Sequence, residues 1–219
     1  MPQLPNELEK SCQIYARLME EIKRRQSVIV QVLNHKIPMP KMTAFEFCYL
    51  QLRKICEVFA LGCLAAHGDI REVRSKLQST YNADQIMKQL TRIHSRFYPV
   101  PSKQTVDHIT QRPIEVTPIT AGFLTKDELQ SLYGQCGNYL HRGSIRQFLG
   151  KWEPTLDFEK IGVWNSKIVS LLNHHQIQTS QSDIQIWVLM QAEDGNVHWS
   201  IMKRIGADPH DLQPVRIPG

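Results

Sequence analysis

The stretch DIQIWVLMQAEDGNVHWSIMKRI, residues 183–205, is where the fold of this chain has to be decided. Ile184, Ile186 and Val188 alternate with Gln185, Trp187 and Leu189, and alternation resumes after Asp194-Gly195. A period of two marks a strand, and an Asp-Gly step between two such runs marks a tight hairpin. With Asp194 and Gly195 as the loop, Ala192 is expected opposite Val197, Met190 opposite Trp199, and Val188 opposite Ile201. One face of the ribbon is then apolar throughout. The other carries Trp187, Leu189, His198, Ser200 and Met202, and is mixed. Because an isolated hairpin is marginal in water, this one must lie on helices, pair with the 114–119 segment, or meet a partner chain.

The chain before it reads as helical. Ile14, Leu18, Ile22, Ile29 and Leu33 recur at helical spacing over 6–33, and the IPMPK segment at 37–41 ends that run. Thr43 to Glu46 has capping-box spacing and opens FEFCYLQLRKICEVFALGCLAAHG, residues 45–68. Apolar residues cover most of that helix, so it is expected to be central and buried, with Gly68 as its C-cap. Shorter helices are expected near 70–79 and 83–95. Residues 97–122 hold four prolines and no helical period, and their IEVTPIT core reads as a short edge strand. Thr125 to Glu128 repeats the capping-box spacing, and a last helix is expected over 154–175. The expected fold class is therefore mainly α. It comprises a helical bundle over 1–180, interrupted by the irregular Pro-rich segment at 97–122, then a C-terminal antiparallel β-hairpin over 181–219.

Composition excludes several classes of function. The 219 residues are 42% hydrophobic and 21% charged, enough for a core, and the net charge of +5 permits a nucleic-acid partner without requiring one. Five cysteines form no CxxC pair, which argues against a zinc ribbon or a thioredoxin-type site. Cys48, Cys56 and Cys63 lie in the apolar helix, where a free thiol acts as a small hydrophobe. The start, MPQLPNELEK, has no apolar signal region, and no run reaches the roughly 18 apolar residues of a membrane span. A reduced, cytoplasmic protein without a membrane partner is expected. Hydrolase, P-loop, dinucleotide and zinc-protease motifs are absent. His174-His175 lacks an acidic or cysteine companion at helical spacing, so neither metal nor cofactor is expected.

Two polar places compete for a functional role. Arg53 and Glu57 are four apart on the apolar helix and can pair, either as a solvated stripe or as binding groups aimed into the bundle. The second is YGQCGNYLHRGSIRQF, residues 133–148, where Asn138 and His141 share a helix face and Arg142 and Arg146 follow. A histidine beside an arginine is the minimum equipment for metal-free RNA cleavage, the imidazole moving a proton and the guanidinium holding phosphate. The plainer reading is a histidine at a helix C-terminus, capped by Gly143. Trp187 and Trp199, on strands ending in Lys203 and Arg204, could stack on bases, though packing is their commoner use.

The pattern Asn138-x-x-His141, with LQLRKICE upstream and CGNYLHRG around it, resembles the HEPN family (higher eukaryotes and prokaryotes nucleotide-binding domains). The likeness spans residues 5–175 and rests on short motifs. It implies a helical bundle that pairs as a homodimer, with RNA or a nucleotide as partner. Family nucleases carry an arginine upstream of the histidine, where this chain reads Gln135, Cys136 and Gly137. The resemblance therefore implies a binding or interaction module without catalysis. The alternative is a metal-independent endoribonuclease using His141, Asn138 and Arg142 as catalytic groups, with Arg53, Glu57 and Arg146 binding. A small-molecule pocket lined by Arg53, Glu57 and His141 is a third reading.

Overall fold

The computed structural model describes residues 6–68, 70, 82–106, 113–140, 155–205 and 212–215. Among them are five helices and six strands. The helices are α1 (Asn6–Leu33), α2 (Lys41–Ala66), α3 (Ala83–Ile93), α4 (Lys126–Leu140) and α5 (Phe158–Leu172). The strands are β1 (Val100–Val106), β2 (Pro113–Pro118), β3 (His174–Gln178), β4 (Ile184–Leu189), β5 (His198–Arg204) and β6 (Leu212–Pro214). All six strands join one antiparallel sheet in the order β2-β1-β3-β4-β5-β6. The sheet curls into a half-barrel.

The mainly α expectation is thus corrected to an α+β fold. The ribbon at 183–205 is no appendage but β4 and β5, two of the four inner strands. Two features hid the remainder. Prolines mask β1, which was not expected, whereas the expected edge strand is present as β2, with Pro113 and Pro118 at its ends, where a missing N–H costs no ladder bond. The segment HHQIQ, read as the end of the last helix, is β3. Helix α5 stops at Leu172, and the chain turns directly into the centre of the sheet.

The hairpin register also differs from expectation. Val188 pairs with Trp199 and Ile186 with Ile201, two residues away from the expected partners. Asp194 accounts for the longer loop, since its Oδ1 accepts from Asn196 N at 2.9 Å and Gly195 adopts φ +76°. Helix α1 holds this loop, Lys23 Nζ donating to Gly195 O at 2.5 Å and Val197 N to Glu20 Oε1 at 2.5 Å. A shift of two residues preserves which side chains share a face, so the apolar and mixed faces are as expected.

The helices cover the apolar face. Helix α2 is buried along most of its length, and α1, α4 and α5 pack with it into one core shared with Ile177, Ile184, Ile186, Val188 and Ile201 of the sheet. Two helix ends depart from expectation. Helix α2 begins at Lys41, with Pro40 at the N-cap, so Thr43 lies inside the helix and no capping box forms there. Its C-cap is His67. Gly68 instead answers to a close approach, because a Cβ at that position would stand 2.8 Å from Ser11 Oγ of α1. The second capping box is realised, with Glu128 N donating to Thr125 Oγ1 at 3.2 Å and Thr125 N to Glu128 Oε2 at 3.1 Å. Glu128 also binds Lys167 of α5, so one carboxylate starts α4 and joins it to its neighbour.

Candidate functional site: the open face of the sheet

Arg53 and Glu57 do come together. Arg53 Nε donates to Glu57 Oε1 at 3.2 Å, and the guanidinium lies 4.9 Å from the centre of the Tyr133 ring of α4. Lys54 Nζ donates to the other oxygen of Glu57 at 2.8 Å. A Cβ at Gly137 would stand 3.5 Å from Arg53 Nη1, so that glycine leaves room for the arginine. This cluster joins α2 to α4 with its polar groups spent on one another. Asn138 is exposed on α4. His141, Arg142 and Arg146 lie outside the described residues, as does the helix expected near 70–79. The nearest groove, about 400 Å³ between α3 and α4, is equally self-paired at its mouth. There Asp84 accepts from Lys88 and from Gln130, each at 2.6 Å.

The sheet offers a larger space. On the side away from the helices lies a trough of about 1230 Å³, open to solvent. Residues of both edge strands line it, Val116 and Pro118 from β2 and Leu212 and Pro214 from β6. Strands at opposite ends of the sheet can border one space only if the sheet curls toward this face.

The register assembles the floor row by row. Across the middle, Ser200 of β5 pairs with Trp187 of β4, which pairs with Gln176 of β3. To one side, His198 pairs with Leu189 and Leu189 with His174. His174 Nδ1 then shares a hydrogen bond with Ser102 Oγ of β1 at 2.8 Å. To the other side, Pro214, Met202 and Gln185 lie in line. Trp199 also lines the space, although its register places it with the helix-facing side chains.

Each polar group on this floor has a physical reason for its state. The indole of Trp187 donates from Nε1 to Gln185 Oε1 at 3.0 Å and stands edge-on to His174, with ring centres 5.9 Å apart. Its hydrogen bond is therefore met within the protein, and what remains exposed is a flat apolar surface. Burial pushes the His174 imidazole below its ordinary pKa, opposed by a backbone hydrogen bond with Ser102, so a neutral ring is favoured. At the rim, His198 Nε2 bonds Asp194 Oδ2 at 3.1 Å.

Chemistry at this site is limited. Ser102 and His174 are both buried, and no carboxylate among the described residues is bonded to the imidazole to orient it as a base. The thiols are no better placed. All five cysteines are buried, and burial pushes Cys48 up to about 11 and Cys136 up to about 12. No group of three or more His, Cys, Asp or Glu among the described residues is arranged to hold a metal ion. His174 and His175, adjacent on a strand, point to opposite faces of the sheet.

Sequence reasoning recognised the mixed face through Trp187, Leu189, His198, Ser200 and Met202. It missed Ser102, His174, Gln176 and Gln104, whose strands it had not found. The available signal was the alternation of Gln176 and Gln178 with Ile177 in HHQIQ. Compared with models of protein families, with curated proteins and with solved structures, the chain finds no match. No helix among the described residues is long and apolar enough to cross a membrane.

Proposed function

We propose that the protein is a binding module without catalysis, and that its ligand lies in the trough on the open face of the sheet. The single observation that carries this reading is the floor around Trp187. An indole with its N–H already bonded sits between Gln176 and Ser200 on a face that no described helix covers. Amides and hydroxyls flank an aromatic platform, the usual composition of a small-molecule site in which a few polar groups fix orientation within an apolar lining. The resemblance to HEPN proteins enters only through its binding, non-catalytic side. RNA cleavage through His141, Arg142 or Arg146 draws no support from the described geometry, and the trough offers Arg204 as its one permanent cation among the described residues, where a phosphate backbone calls for several.

The chain has four tryptophans, Trp152, Trp164, Trp187 and Trp199, so 5-fluorotryptophan labelling gives a short fluorine spectrum in which Trp187→Phe assigns the trough. Small organic acids, bases and neutral compounds, screened one at a time, are expected to include ligands that move the Trp187 resonance and leave Trp164 in place. A screen in which nothing moves Trp187 would overturn the assignment.

A further inference from the structure

Arg204 closes one end of the trough, and its state is unusual. Its Nε is buried and has no hydrogen-bond partner among the described residues. The nearest carboxylate by register is already engaged, since Asp183 faces Lys203 Nζ at 3.7 Å and gives its backbone carbonyl to Arg204 N at 2.8 Å. Directly across the β5–β6 ladder stands Leu212, which offers the guanidinium nothing polar. A buried guanidinium N–H left without an acceptor costs more than most polar groups, because the charge is only partly solvated. An anion arriving in the trough would compensate the charge of this guanidinium.

The spacing narrows the ligand further. Trp187 pairs with Ser200, and Arg204 is four residues along the same strand, about 13 Å at the rise of an antiparallel strand. Between them the floor is Met202 and Gln185, apolar with one amide. We propose that the trough takes an amphipathic organic acid, with its ring-bearing part on Trp187, its aliphatic part along Met202 and its carboxylate on Arg204. This rests on the binding reading above and adds to it the charge and length of the ligand.

The test uses a matched pair, 8-phenyloctanoate and its neutral primary amide, titrated calorimetrically into the full chain. The acid is expected to bind at least tenfold tighter than the amide, the range set by one charge-assisted hydrogen bond at roughly 10- to 100-fold. Arg204→Met, which keeps the aliphatic stem, should abolish that preference by weakening the acid far more than the amide. Trp187→Ala should weaken both compounds. Equal affinity for acid and amide in the parent would overturn the anion assignment while leaving the trough as a binding site. Failure of the acid to bind up to its solubility limit would overturn the ligand class. Sedimentation showing self-association that Trp187→Ala abolishes would overturn it too, by placing a second copy of the chain in the trough. Melting curves of both variants separate any of these results from misfolding.

Discussion

At the scale of single residues, His175 shows how a polar side chain is made structural. It is fully buried, its Nδ1–H donates to Leu172 O at 2.8 Å, and Tyr15 O–H donates to its Nε2 at 2.7 Å. A neutral ring serves both bonds in this arrangement, and burial drives its pKa down to about 4. The unfolded chain takes up this proton near 6.5, the folded one only near 4, so between those values the unfolded state binds more protons. Stability from this residue is therefore complete above pH 6.5 and is lost as pH falls toward 4. The loss is on the order of 3 kcal/mol, because each tenfold difference in proton affinity between the two states is worth about 1.4 kcal/mol. Urea midpoints measured at pH 7 and pH 5 should fall accordingly, and His175→Asn, although less stable, should show a flatter pH dependence. Gly68 gives a second residue-level expectation. Glycine to alanine at a helix end usually stabilises, but here the new Cβ meets Ser11 Oγ at 2.8 Å. Gly68→Ala should destabilise by about 1–2 kcal/mol. Adding Ser11→Ala should recover part of that in a double-mutant cycle, because Cβ of residue 11 is 3.9 Å away while Ala65 O stays at 3.2 Å.

At the scale of elements, the capping box of α4 shows where local sequence rules suffice. Thr125 and Glu128 bond reciprocally, and Glu128 continues to Lys167. Thr125→Ala should cost about 1 kcal/mol by chemical denaturation, with the fold unchanged by circular dichroism. Elsewhere the same local rule is not used. Thr43 to Glu46 has the same spacing, yet α2 takes Pro40, with φ −55°, as its N-cap, three residues before Thr43. Strand β3 lost its identity in the sequence for a different reason. Both of its faces are covered, His175 and Ile177 by helices and His174 by Ser102 and Trp187, so both histidines are buried and period two is blurred. The binding candidates Arg53 and Glu57 were visible as an i,i+4 pair, and they pair. That they spend their charge on Tyr133 and Lys54 rather than on a ligand depends on α4, and no local pattern announces it.

At the scale of the molecule, the described helices fill one side of a curled sheet, and none of them covers the other. Stability and binding should therefore separate. Trp187→Ala removes no side chain from the helix-facing core and should shift the melting temperature little while abolishing ligand-induced shifts in the trough. Ile186→Ala, on the opposite face and fully buried, should cost about 2–5 kcal/mol. Hydrogen exchange should be slowest in α2 and β4 and fastest in β2 and the three-residue β6. The edges have one unpaired side, and prolines close them against addition of further strands.

The amino-acid sequence alone determined what depends on neighbours along the chain. Helix α1, the apolar length of α2, the cap of α4 and the two faces of the 183–205 ribbon all follow from spacing, side-chain type and turn chemistry. Only the tertiary structure decided that residues 100–106 and 174–178 are strands, and that they join the expected edge strand at 113–118 to that ribbon in one sheet. The pairing that joins them to the ribbon, Val100 with Gln176 and Pro101 with His175, links segments far apart in sequence, and a strand's hydrogen bonds are made with its partners rather than within itself. The trough follows from that same pairing, since it exists only where six separate segments are brought edge to edge.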